Sequence, residues 1–451
     1  MTENPSATAL SLARTWLWLG LGALAGGGLL AVLLVLSRTP ALGEVLGLEA
    51  FFRSALIVHV DLTVAVWFMA FAGVIWSVLG DARGATVGRI AAACAAAGSL
   101  ALLLSPFLPG AQPLLNNYLP VLRHPVFLAG LALCGAGYAL SLWRALATAW
   151  PRRLAEDPQR LGAALAAVAG AAALAALVSA WLTLPARDDQ AYFETLFWGT
   201  GHLLQYQHAL LALVAWFWIA RHLGAPPRQR PGALAVLFAL AALPLAAALV
   251  LIALPAGTPR QIAGFAELMA WGHLAMTPLL LVALGDAWRV RGSPHPARYA
   301  LQASLLLFCA GGVLGFMIRG ANVVVPAHYH GAIVGVTLAF MGLAYVLLPQ
   351  LGFRAVEGRA ARLQPLVYGG GQLLHVLGLA WSGGYGVARK VAGADQALTA
   401  LPQKLGMAMM GLGGLVAVIG GLMFVVLCLR AMWPSPAGVD AGGEQQQRQL
   451  Q

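Results

Sequence analysis

Residues 324–350 read VVPAHYHGAIVGVTLAFMGLAYVLLPQ, a stretch with no Asp, Glu, Lys or Arg and with two histidines near its start. An apolar run of about twenty residues suffices to cross the hydrocarbon core of a bilayer as a helix. Lipid offers no hydrogen bonds to open backbone, so crossing segments of this length are helical. Runs of the same kind recur at 15–36, 54–80, 87–108, 124–149, 160–184, 195–221, 232–254, 266–288, 298–319, 365–388 and 405–432. Composition agrees: 60% of the 451 residues are hydrophobic and 10% charged, where a water-soluble chain carries roughly a quarter charged residues. The expectation is an all-α polytopic membrane protein of about twelve transmembrane helices. Residues 1–432 form its single membrane domain, and 433–451 form a disordered cytoplasmic tail.

The net charge of +11 suits a polyanion-binding protein if the basic residues cluster, and these do not. Of the 27 Lys and Arg, fifteen fall in connections after even-numbered segments, nine after odd-numbered ones and three near the termini. The positive-inside rule then puts the even-numbered connections and both termini in the cytoplasm, with lipid and no nucleic acid as the surrounding partner. The location that follows is a bacterial cytoplasmic membrane. The polar N-terminus lacks a cleavage site and is not expected to be a removable signal peptide. Cys94, Cys134, Cys309 and Cys428 lie singly in four apolar runs with no CxxC spacing. That pattern offers neither a disulfide framework nor covalent haem attachment. The abundant glycines read as close-packing positions between helices.

An ionisable side chain inside a membrane helix is costly and usually functional. His222, His295 and His124 fall in connections or at segment ends. His59, His202, His273, His328 and His330 lie near the starts of the second, sixth, eighth and tenth segments. At about 1.5 Å per residue, those positions share the outer third of the bilayer. Buried imidazoles need partners, and a metal or haem iron is a usual one. His328 and His330 stand two apart, roughly 200° around a helix, so they cannot share one iron but can bind two haems flanking the same helix.

These residues resemble subunit I of the haem–copper oxidases, the cytochrome c and quinol oxidase polypeptide I family. The resemblance rests on twelve helices, a His early in the second, and the tenth-segment stretch NVVVPAHYHGAIVGVTLAFMG (322–342). It implies two haems, of a type the sequence leaves open. His59 and His330 are then the axial ligands of a low-spin haem, and His328 the ligand of a high-spin haem. In WGTGHLLQYQH (198–208), Tyr206 follows His202 by four residues, on the same helical face. Oxidases of the family carry a copper-ligand His and a catalytic Tyr at that spacing, where the related nitric oxide reductases carry Glu. In GGYGVARK (383–390), Arg389 and Lys390 match the basic pair that holds haem propionates, with Ala388 standing where Pro is common and Lys390 where Arg is usual.

One part of the pattern is missing. The family holds its second metal with a sixth-helix His and an adjacent His-His pair on the seventh. The seventh segment here, PGALAVLFALAALPLAAALVLIALPAG (231–257), has no His, Cys, Asp or Glu. That leaves His202 and His273 as second-metal candidates. Two imidazoles make a poor copper site. His208, six residues past His202, points elsewhere around its helix. Asp61 and Glu267 are the acids nearest the expected site. The resemblance therefore implies a respiratory oxidoreductase subunit reducing O2, fed by an electron-donating partner subunit or cytochrome c. The alternatives are a di-haem electron-transfer cytochrome without the copper site and a divergent reductase of NO.

Overall fold

The computed structural model describes residues 5–38, 49–389 and 398–433. Among them, eleven helices are long and apolar enough to cross a membrane: Ala7–Leu34, Phe51–Leu79, Ala85–Phe107, Pro125–Thr148, Pro158–Thr183, Trp198–His222, Pro231–Ile252, Pro259–Arg289, Pro296–Phe316, Val324–Gln350 and Leu401–Met432. One further long helix, Gly358–Gly384, precedes the last. Arg359, Arg362, Gln364, Gln372 and His375 make it more polar, and it packs against the ninth, tenth and final helices. Counting it as the eleventh gives twelve, and the chain is an all-α integral membrane protein. One connected apolar cluster runs from Ala13 to Met432 and ties the helices together.

Most segment limits lie within a few residues of expectation, and three helices start earlier. The first begins at Ala7, the eighth at Pro259 and the eleventh at Gly358. Each early stretch carries polar residues that a hydropathy reading passes over, such as PRQIAGFAE in the eighth. This corrects one depth. His273 lies fourteen residues beyond Pro259, in the middle of its helix rather than its outer third.

Two helices depart from α geometry beside histidines. The second turns π-helical over Asp61–Val66, directly after the turn that carries His59. The eighth turns π-helical over Leu268–Gly272, then 3₁₀ over His273–Met276. Such bulges free backbone carbonyls from the i→i−4 ladder and commonly mark functional positions. The seventh helix is interrupted between Pro231–Ala242 and Leu245–Ile252 by Pro244, which has no N–H to donate.

Without a hydrophobic drive between them in lipid, helices associate through close packing at small residues. The third and fourth, ninth and tenth, and eleventh and twelfth helices pair most extensively. A Cβ placed on Gly98 would lie 2.5 Å from the carbonyl oxygen of Gly130. One on Gly311 would lie 2.2 Å from the Ala332 nitrogen, and one on Gly371 2.5 Å from the Ala417 nitrogen. These glycines are where backbone meets backbone.

Outside the helices, an antiparallel pair, β1 (Gln112–Leu114) and β2 (Val121–Arg123), joins the third and fourth helices. The sequence reading had no strand there. Val121 and Leu122 are fully buried, so the hairpin is packed down on the helix ends.

Gly371→Leu is expected to lower the thermal unfolding midpoint in detergent, since overpacking costs about 1–3 kcal/mol. Gly370→Leu is the control, because a Cβ there meets nothing within 4 Å. Equal midpoints for the two variants would contradict the close-packing account.

Candidate functional site

Three intramembrane histidines are held by a carbonyl of a neighbouring helix. His59 donates from Nδ1 to the Gly27 carbonyl at 2.8 Å, and His328 donates from Nδ1 to the Gly311 carbonyl at 2.7 Å. His375 donates from Nδ1 to the Met410 carbonyl at 2.9 Å, and its ring centroid lies 4.7 Å from that of His330. Each bond needs the two helices very close, and glycine provides that. A Cβ on Gly27 would fall 2.5 Å from Cγ2 of Thr63, and one on Gly413 2.3 Å from the His375 nitrogen. Carbonyl acceptance at Nδ1 fixes the tautomer and leaves Nε2 as the lone-pair nitrogen, the arrangement used by imidazoles that ligate a metal. His59 and His328 therefore have the donor chemistry that haem iron requires.

The sixth helix behaves differently. His202 donates from Nδ1 to the Trp198 carbonyl at 2.6 Å, and its Nε2 lies 2.9 Å from the Tyr118 hydroxyl. With the proton on Nδ1, Nε2 accepts the bond and Tyr118 donates it. Tyr118 sits in the turn between β1 and β2, placed by a clamp between two connections. Asn117 donates from both its backbone nitrogen (2.8 Å) and its side chain to Glu194, on the short helix Gln190–Leu196. Arg123 pairs with Asp188 at 3.1 Å. The Tyr118 ring fits against the sixth helix because residue 201 has no side chain: a Cβ on Gly201 would lie 2.1 Å from Cγ of Tyr118. Burial, with Glu194 adding to it and Arg389 opposing, pushes the Tyr118 hydroxyl above its usual range, so it stays protonated and able to donate.

Tyr206 is buried at 1% exposure. Its hydroxyl donates to the carbonyls of Ala241 (2.5 Å) and Gly272 (3.2 Å), beside the Pro244 interruption and at the end of the π segment. Its ring packs 4.6 Å from His273. His273 donates from Nδ1 to the Met269 carbonyl at 3.1 Å. The Tyr206–His273 contact brings the sixth and eighth helices together at this point.

The residues present do not fit a copper ion. Both nitrogens of His202 are engaged, His273 offers at most one nitrogen beyond its bond to Met269, and the seventh helix brings no ligand. Among the described residues, no group of three or more His, Cys, Asp or Glu could hold a metal ion. His202 and His273, the expected second-metal pair, thus lie on adjacent helices without a third donor among the described residues. His208 packs edge-on against Phe68 at 4.5 Å, away from the site. Asp61 is buried, and neither carboxylate oxygen has a hydrogen-bond partner. Arg389 lines an open cleft of about 590 Å3 with Asn117, Gln190, Ala191 and Glu194. The segment before it is held to the start of the tenth helix by the Val323 N–H to Val387 carbonyl bond, 3.0 Å. Lys390 lies outside the described residues.

The family model described as Cytochrome C and Quinol oxidase polypeptide I matches residues 11–423. The chain belongs to that family. It is 29% identical to an uncharacterised protein of Rickettsia prowazekii (strain Madrid E), over 94% of this chain and 96% of that one. An uncharacterised protein of Aquifex aeolicus (strain VF5) is 26% identical, over 78% and 88% respectively. A solved structure described as a haem–copper terminal oxidase dimer superposes with a TM-score of 0.67. It covers 96% of this chain and 85% of its own at 19% identity, and so shows the shared fold. A cytochrome oxidase subunit I-like protein is thus established at family level.

Tyr118 and Gly201 were missed by the sequence reading. The available signal was the Leu- and Val-rich connection PLLNNYLPVL (113–122), too apolar for a solvated loop.

Tyr206→Phe leaves the Ala241 and Gly272 carbonyls without their hydroxyl donor. The expected loss is about 1–3 kcal/mol of stability, read as a lower midpoint in detergent. An unchanged midpoint would show that these bonds carry no weight.

Proposed function

We propose that this chain is the haem-carrying subunit of a membrane-bound respiratory oxidoreductase that reduces O2. In this reading, His59 and His330 hold a low-spin haem and His328 holds a high-spin haem. Haem supplies one-electron transfer and an iron that binds a diatomic gas. The observation that carries the proposal is the pair of Nδ1-to-glycine bonds at His59 and His328. They leave Nε2 of both imidazoles with the lone pair, on the two helices where the family places its haem ligands.

The other residues follow from their surroundings. Arg389 brings positive charge near the start of the tenth helix, and Lys390 adds a second positive charge next to it in sequence; such a basic pair suits propionates. Tyr206 holds a proton at its hydroxyl next to His273, as a donor to chemistry there. Electrons arrive from a partner subunit or a cytochrome c. Residues 1–432 act as one membrane domain in a bacterial cytoplasmic membrane, with both termini on the cytoplasmic side.

A second reading is a di-haem electron-transfer cytochrome, favoured by the donor set around His202, which is too small for a second metal. Nitric oxide reduction is disfavoured by Tyr206, where those reductases carry Glu. Oxygen and nitric oxide uptake by the reduced protein separate the three.

Carbon monoxide added to the dithionite-reduced protein is expected to shift part of its Soret band. His328→Ala removes that shift and keeps the low-spin spectrum, whereas His59→Ala disrupts the low-spin spectrum. Gly315→Val weakens the shift, because its Cβ would lie 2.8 Å from Nδ1 of His328. Gly312→Val does not, since a Cβ there meets nothing within 4 Å. A protein without haem, or a full shift in His328→Ala, would overturn the assignment.

A further inference from the structure

The seat of Tyr118 is built from three separate parts of the chain. The hairpin turn carries it, the Asn117–Glu194 contact holds that turn down, and Gly201 leaves room for the ring. Its ring packs against Trp198 at 5.7 Å and His202 at 4.8 Å. The hydroxyl ends 2.9 Å from Nε2 of a histidine that is 4% exposed. Nε2 is the nitrogen that a metal on His202 would need, because Nδ1 is bound to the Trp198 carbonyl.

We infer that the Tyr118–His202 hydrogen bond takes the place of the family's second metal, and that this chain works without copper there. The inference rests on the haem reading above for its context, and on the chain's own side chains for its substance. A copper ion at His202 has to displace the Tyr118 hydroxyl. What it gains is one imidazole, with His273 on the eighth helix as one further imidazole nearby. Soft or borderline copper is held by several nitrogen or sulfur donors together, and the seventh helix supplies none. Tyr118 instead satisfies the buried lone pair of His202, which otherwise carries the cost of an unpaired acceptor. Tyr118 is thus a positioning residue: it fixes the His202 tautomer and closes the nitrogen to metal.

The test is copper loading of the detergent-purified, full-length protein. Copper and haem per chain are counted after removal of unbound copper, and bound Cu(II) is examined by electron paramagnetic resonance. Wild-type protein is expected to retain no stoichiometric copper. Tyr118→Phe removes one competing hydrogen bond, so copper affinity rises about tenfold. The gain carries nitrogen hyperfine structure and disappears in Tyr118→Phe/His202→Asn. Gly201→Ala displaces the ring while keeping the hydroxyl, and gives the same gain if Tyr118→Phe does not fold. A merely structural tyrosine would produce no His202-dependent metal binding. One copper per chain in the wild type, lost in His202→Asn and indifferent to Tyr118→Phe, would overturn the inference. Absence of haem in the same samples would sink the haem reading and leave the copper result to stand by itself.

Discussion

An imidazole inside a membrane helix needs a hydrogen-bond acceptor, and the carbonyls of its own helix are already bonded along the helix. At three positions the acceptor comes instead from a neighbouring helix at very short range. His59 meets Gly27, His328 meets Gly311, and His375 meets Met410 on a face opened by Gly378 and Gly413. At Gly27 and Gly311, the glycine that supplies the carbonyl is also one that cannot carry a Cβ. Site chemistry and helix packing are therefore one constraint. The backbone contact that holds two helices together also fixes the tautomer of the imidazole.

Where helices are irregular, the same accounting reaches different answers. The bulge before His273 and the proline in the seventh helix expose carbonyls, and Tyr206 caps one of each. His202 and His273 take their first acceptor from four residues earlier in their own helices. They consequently need no neighbouring glycine. At His202, the opposite nitrogen is then satisfied by Tyr118, a residue outside the spans. One set of histidines thus has its tautomer set by helix packing, which leaves Nε2 with the lone pair. The sixth-helix histidine is closed by a side chain of the protein.

Much of the fold was legible because apolar length is a local property. The tenth helix runs Val324–Gln350 as read, with charge-free sequence between its ends. Helices with polar first turns, such as Pro259–Glu267, were shortened by the same reading. The intramembrane histidines stood out since ionisable groups are rare there. Their acceptors did not, because a glycine carbonyl has no side-chain signature and Gly27 is 32 positions from His59. Tyr118 was invisible for a related reason. Its contact with His202 spans 84 positions and depends on strand register and a loop clamp, neither of which has a period in the sequence. The missing seventh-helix ligands, by contrast, were plain from sequence, and the closure of His202 gives that absence a structural counterpart.

The central claim is that three histidines on the second and tenth helices hold two haems of different coordination. Low-temperature electron paramagnetic resonance of the oxidised, purified protein tests it most directly. The account predicts a low-spin signal of bis-histidine type that is lost in His59→Ala, beside a high-spin signal that survives that change. A single haem signal, or a low-spin signal that persists without His59, would contradict it.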